Sequence, residues 1–173
     1  MITPQVEIIK DENGELLPES VVVSVMTCAA PMITEGKEGM TEQQYQSMIC
    51  YRIICMLAVA AHLGYQTMVL GAFGCGAFGN DAKIVSDLFY QVMKEFNFKG
   101  MKLEDFFRRI DFAVMDHTKS QYNFKQFSRN FSNFYREEDA AEAARILNEK
   151  EEAECVELEL ILKSMWLMHT LTG

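Results

Sequence analysis

Four glycines fall within nine residues, at positions 71, 74, 76 and 79 of the stretch TMVLGAFGCGAFGND that runs from 67 to 81. Gly71, Gly74, Gly76 and Gly79 permit positive φ angles and close approach of the backbone, so the amides of such a loop can be turned toward one point. Asn80 and Asp81 follow where a helix would be capped, which sets the positive end of a helix dipole behind the loop. Together these features make a cradle for a phosphate or diphosphate. The spacing is neither the dinucleotide fingerprint nor the P-loop, and no lysine follows the last glycine. The same glycines equally suit a tight strand-to-helix turn that needs them only for packing.

Cys75 lies inside this loop, at a helix N-terminus of the kind that stabilises thiolates. No histidine or other base is near it in sequence, so a packing role is expected rather than a nucleophilic one. The five cysteines are an odd number with no CxxC pair, and they sit mostly in apolar segments as free buried thiols would. His62, His117 and His169 make no ligand-spaced cluster with them, so no metal site and no cofactor is expected. Arg52 is the one charge in the apolar run 48–61; pairing with a carboxylate or with helix-end carbonyls is expected before ligand contact.

The elements that must position the loop are readable around it. The run VVVSVM at 21–26 has the content of an interior strand, and the loop 27–39 with Pro31, Gly36 and Gly39 leaves its carboxyl end, where ligands sit in open α/β sheets. Residues 1–20 are polar and broken by Asn13-Gly14 and Pro18, an arm or a hairpin. Thr41 and Gln44 form a capping box for a helix to His62 that Gly64 closes. Residues 67–70 are a second strand, 82–96 an amphipathic helix ended by Gly100, and IDFAVM at 110–115 a third strand. That order predicts parallel strands in one sheet, with two strand ends and the glycine loop on one rim.

Tyr122, Phe124, Phe127, Phe131, Phe134 and Tyr135 are interleaved with Lys125, Arg129 and Arg136. Such a pattern can stack on nucleobases, but the acidic surroundings favour rings that cover the sheet. Residues 137–171 are rich in Ala, Glu and Leu and read as one bent helix or two. With 173 residues and 49% hydrophobic content the chain can bury one core, and a net charge of -9 opposes a nucleic-acid partner. There is no basic leader, and no apolar run is long enough for a bilayer. A cytoplasmic protein without membrane association is expected.

From Val23 to about Phe127 the chain resembles the C-terminal half of the microbial-type poly(ADP-ribose) glycohydrolase family, on VSVMTCAAP at 23–31, YRIICMLAVAAHLGYQTMVLGAFGCGAFGND at 51–81 and FAVMD at 112–116. The resemblance implies a macrodomain-like three-layer α/β/α fold with a mostly parallel central sheet, truncated on its N-terminal side. It divides the chain into such a domain over 1–128 and a helical extension over 129–173. It also implies an ADP-ribose-like ligand. The loop matching Gly74 to Gly79 would wrap the diphosphate and distal ribose, Phe78 would lie against that ribose, and Asp116 would border the nucleoside. Gly71, Phe73, Gly74, Cys75, Gly76, Ala77, Phe78, Gly79, Asn80 and Asp116 are thus the expected ligand-binding residues.

Family enzymes also carry an upstream glycine triplet followed by glutamine and paired glutamates, which supply the acid that cleaves the ribose-ribose bond. No such stretch occurs here, so no catalytic residue is assigned and binding without hydrolysis is the expectation. Two alternatives stand beside it. The chain would be the rear half of a glycohydrolase completed by a missing or separate front half, or a scaffold protein built on the fold. In the first two readings the sheet has an open edge, to be completed by the C-terminal helices, a second copy or a separate chain.

Overall fold

The computed structural model describes residues 1–33 and 40–132. The expectations for Gly36, Gly39, Phe134, Tyr135, Arg136, Cys155, His169 and the helices of 137–171 lie outside these residues. The chain begins with two strands, β1 (Ile2–Lys10) and β2 (Leu16–Met26), followed by helix α1 (Glu42–His62) and strand β3 (Thr67–Leu70). Helix α2 (Ala82–Glu95), the short strands β4 (Asn97–Phe98) and β5 (Met101–Lys102), a 3-10 turn at Leu103–Phe106, strand β6 (Arg109–Phe112) and helix α3 (Tyr122–Phe131) complete the order.

Helix α1 starts as its sequence directs. The Thr41 hydroxyl accepts from the Gln44 amide at 3.2 Å, and the Gln44 side chain accepts from the Thr41 amide at 2.8 Å. Two of the four N–H groups that a helix start leaves unsatisfied are thereby paired. At the other end the chain reverses through Leu63 and Gly64, whose φ of +75° an L side chain rarely adopts. Tyr45, Ile49, Ile53 and Leu57 of α1 are buried against Val85, Phe89, Val92 and Met93 of α2 and against Leu103 and Phe106 of the 3-10 turn. Each fully buried side chain of this size contributes about 1.5–3 kcal/mol, so this helix pair is the centre of the fold.

Strands β3 and β6 pair in parallel, Thr67 with Arg109 through Leu70 with Phe112, and α2 lies between them in the chain. This βαβ unit is the part of the expected sheet that forms. The rest differs: among the described residues the strands make three two-stranded sheets rather than one. The run 21–26 belongs to β2, which pairs antiparallel with β1 and not with β3. The polar arm is therefore the hairpin partner, turning at Gly14 (φ +83°). A neighbour a few residues away closes its loop at small entropic cost and wins the pairing. Val21 and Val22 are exposed rather than interior.

Two smaller differences have local causes. Helix α2 stops at Glu95, and Gly100 (φ +80°) instead makes the turn of the β4–β5 hairpin; a glycine suits either stop. Strand β6 ends at Phe112, because the chain then turns to bring Asp116 to the start of α3. Of the aromatic rings of 122–131, Phe127 and Phe131 cover the sheet and α2, with Phe127 6.4 Å from Phe89 and 5.2 Å from Phe112 and Phe131 stacked on Phe112 at 4.3 Å, whereas Tyr122 and Phe124 are exposed. No helix among the described residues is long and apolar enough to cross a membrane. Phe89 touches both Phe112 and Phe127 and has no exposed surface. Replacing it with alanine is expected to lower the unfolding free energy by about 3–5 kcal/mol, to be measured by urea denaturation followed by circular dichroism.

Candidate functional site

The glycine loop leaves β3 at Leu70 and enters α2 at Ala82, with Asp81 as the N-cap whose carboxylate accepts from the Lys83 amide at 2.7 Å. Three of its amides close turns within the loop: Cys75 to the Ala72 carbonyl at 2.9 Å, Gly79 to Gly76 at 3.0 Å, and Asn80 to Gly74 at 3.1 Å. That corrects the expectation that the loop's amides as a group face a ligand. Among the described residues the three consecutive amides of Gly76, Ala77 and Phe78 donate to no other group.

The glycines are required for different reasons. Gly74 has φ +72°, and a Cβ there would stand 2.3 Å from Asn80 Nδ2 and 2.6 Å from Ala30 Cβ, so no side chain fits. Gly79 has φ +70°. At Gly71 and Gly76 a Cβ would meet nothing within 4 Å, so the chain's own packing does not demand glycine at either.

Asn80 is the fastening of the site. Its side chain is buried, 4% exposed, and every polar atom of it is engaged. Nδ2 donates to the Pro31 carbonyl and to the Gly74 carbonyl, both at 2.8 Å, while Oδ1 accepts from the Tyr45 hydroxyl at 2.8 Å. One amide thus joins the loop after β2, the glycine loop and the first turn of α1. Burial pushes the Tyr45 phenol up to about 12, in keeping with a hydroxyl that donates. The β2–α1 loop has two further tethers. The Arg52 guanidinium donates to the Ala29 carbonyl, and the Ile33 amide donates to the Phe78 carbonyl at 3.0 Å. Arg52 therefore holds the backbone, through a loop carbonyl rather than a carboxylate or a helix end.

The third wall comes from the start of α3. Asp116 accepts from the Thr118 hydroxyl at 2.6 Å, the Thr118 amide at 3.0 Å and the Asn123 amide at 2.8 Å. It caps the helix that Gln121, in a left-handed conformation and without a side-chain bond, does not. These bonds, led by the Thr118 hydroxyl, hold its carboxyl below the ordinary value of 3.8. Asn123 then donates to the Cys75 carbonyl at 3.4 Å, and the Tyr122 hydroxyl to Asp81 at 3.2 Å. Asp116 is brought to the glycine loop through one intervening residue.

Phe73 and Cys75 are part-buried, whereas Gly71, Gly76, Ala77, Phe78 and Gly79 lie at the surface. Phe78 presents 37% of its area to solvent. The Cys75 thiol points to the Phe73 carbonyl at 3.6 Å, and burial, with Asp81 adding to it, pushes it up to about 12. A thiol so protonated packs and does not attack. Among the described residues no group of His, Cys, Asp and Glu is placed to hold a metal ion. Tyr45, Pro31 and Asn123 were not legible as site residues. A helix tyrosine, a loop carbonyl and a helix asparagine carry no pattern of their own.

No protein-family model matches this chain, and no curated protein does. Solved structures do. Poly(ADP-ribose) glycohydrolase from Deinococcus radiodurans in complex with ADP-ribose superposes with a TM-score of 0.68 at 30% identity, over 77% of this chain and 52% of that one. Poly(ADP-ribose) glycohydrolase from Thermomonospora curvata gives 0.67 at 31% identity, over 75% of this chain and 46% of that one. Over about three quarters of its length the chain is thus similar to microbial poly(ADP-ribose) glycohydrolases and fits a fragment of that family. It spans about half the length of the glycohydrolases it matches.

Two measurements probe this framework. Replacing Asn80 with alanine leaves a phenol and two carbonyls without their partner, and is expected to cost on the order of 2–4 kcal/mol of stability in urea denaturation. Asp116 has a folded-state value below its unfolded one, so its contribution is present above the ordinary carboxylate value and is lost as pH falls through the depressed one. Thermal unfolding followed from about pH 5 to about pH 2 should show this loss, and the Asp116→Asn variant should show less of it.

Proposed function

We propose that this chain binds ADP-ribose, or a nucleotide diphosphate like it, along the loop 71–80, and that these 173 residues do not by themselves cleave a glycosidic bond. The observation that carries the reading is the tip of the loop. Three consecutive amides there have no partner among the described residues, next to a glycine whose missing side chain makes room for nothing in the protein. Backbone donors at the start of a helix, with a bare glycine beside them, suit a diphosphate. The ADP-ribose held by the Deinococcus radiodurans relative supports the same class of ligand.

The remaining roles follow the resemblance. Phe78 would lie against the distal ribose, and the turn held by Asp116 would border the nucleoside. The Asp116 carboxylate is occupied by Thr118 and Asn123, so it contributes by shaping that border. Gly71, Phe73, Cys75 and Gly79 set the path of the loop, and Asn80 fixes it.

Hydrolysis of a glycosidic bond needs a carboxylic acid at the leaving oxygen. The sequence contains no glycine triplet followed by glutamine and paired glutamates, and the carboxylates nearest the loop, Asp81 and Asp116, are engaged in helix caps. A second reading, that this is one half of a glycohydrolase, is favoured by its match to 52% of the Deinococcus radiodurans enzyme. In that case the acid comes from the other half.

Gly76→Ala tests the site without disturbing the fold, because the added methyl meets no protein atom within 4 Å. Titration calorimetry with ADP-ribose is expected to show binding to the parent chain and a loss of at least about tenfold in the variant, with unfolding free energy changed by less than about 1 kcal/mol. Equal binding by both chains, or no heat from the folded parent, would refute the assignment.

A further inference from the structure

We propose that Cys28 and Cys55 are a redox pair, which on oxidation closes into a disulfide that pins the start of the β2–α1 loop to helix α1 and through it stiffens the glycine loop. Both are part-buried free thiols. Cys28 is the second residue after β2, and both its neighbours are fixed. The Thr27 amide donates to the Met1 carbonyl at 2.8 Å, and the Ala29 carbonyl accepts from the Arg52 guanidinium. Cys55 stands three residues after Arg52 on α1, and side chains at that spacing are neighbours on one helix face. The arginine that reaches the carbonyl next to Cys28 therefore rises from the same face as Cys55. The two sulfurs also act on each other: burial pushes the Cys55 thiol up, the Tyr51 hydroxyl opposes that, and the charge of Cys28 adds to it, which charges do only at short range.

The other described cysteines are placed differently. Cys50 stands two residues before Arg52 and so on another face of the helix, and Cys75 lies in the glycine loop with its thiol on the Phe73 carbonyl. With hydrogen peroxide as the oxidant, one thiolate of the pair attacks a peroxide oxygen, the O–O bond breaks, and a sulfenic acid forms as water leaves. The second sulfur attacks the first, the S–S bond closes, and the hydroxyl departs with the second thiol's proton as another water. Two electrons have then passed from the sulfurs to the peroxide, and a reductant returns them. The effect reaches the glycine loop along bonds already described. Residues 29–33 are fastened to it, Pro31 by Asn80 and Ile33 by Phe78, so a covalent pin at residue 28 restricts the local opening of both loops.

To test this, the full chain is treated with hydrogen peroxide or with a phosphine reductant, and the remaining thiols are blocked. Proteolysis and mass spectrometry of the oxidised monomer should give one peptide pair joined at 28 and 55, lighter by two hydrogens than the reduced peptides. Amide exchange in 29–33 and in 74–80 should slow at least about fivefold on oxidation and recover with reductant. The thermal midpoint should rise by at least about 5 °C. Cys28→Ser and Cys55→Ser should each remove all of these effects, whereas Cys50→Ser should retain them. The linked peptide is read from the parent chain, so that result stands even where a variant does not fold. The proposal is overturned if the two sulfurs oxidise only to sulfinic or sulfonic acid, if either joins another cysteine instead, or if the bond forms and exchange in 74–80 is unchanged. No ligand enters any readout, so the outcome is independent of the nucleotide reading.

Discussion

One buried amide holds the site in register. Asn80 follows the glycine loop directly, and its side chain spans to a helix 35 residues earlier and to a loop carbonyl 49 residues earlier. A buried polar group is stabilising only when all its donors and acceptors are matched, and here they are. The cost of leaving any of these partners unmade is what fixes the glycine loop against α1 and the β2–α1 loop. Gly74 completes the arrangement, because the space its side chain would fill is taken by Asn80 and Ala30.

The loop therefore has an inner and an outer half with separate duties. The inner half, at Gly74, Cys75, Gly79 and Asn80, is hydrogen-bonded to itself and to its neighbours. The outer half, from Gly76 to Phe78, keeps its donors at the surface. Asp116 shows a similar indirect role on the opposite wall, where a carboxylate organises a turn and the turn reaches the loop through Asn123.

Much of this was legible because its causes are local. The capping box of Thr41 and Gln44, the left-handed Gly64, the cap at Asp81 and the apolar stripe of α2 are each decided within a few residues, and each forms as the sequence predicts. What was not legible depends on distance or on backbone atoms. The pairing of β2 depends on which strand reaches it first, and a run such as VVVSVM reads as interior whether or not it is covered. Gly100 fits a helix stop and a hairpin turn equally well, and only the β4–β5 register decides. Tyr45 reads as one more apolar residue of its helix until Asn80 is placed beside it. The glycine loop was found by composition, but its division into bonded and unbonded amides is a property of three-dimensional turns.

Tyr45 and Arg52 stand two turns apart on one rigid helix, and each grips a different partner: one the end of the glycine loop, the other the carbonyl of Ala29. Helix α1 thus works as a fixed gauge: with both grips on one rigid rod, the two loops close on each other in a single register, Pro31 against Asn80 and Ile33 against Phe78.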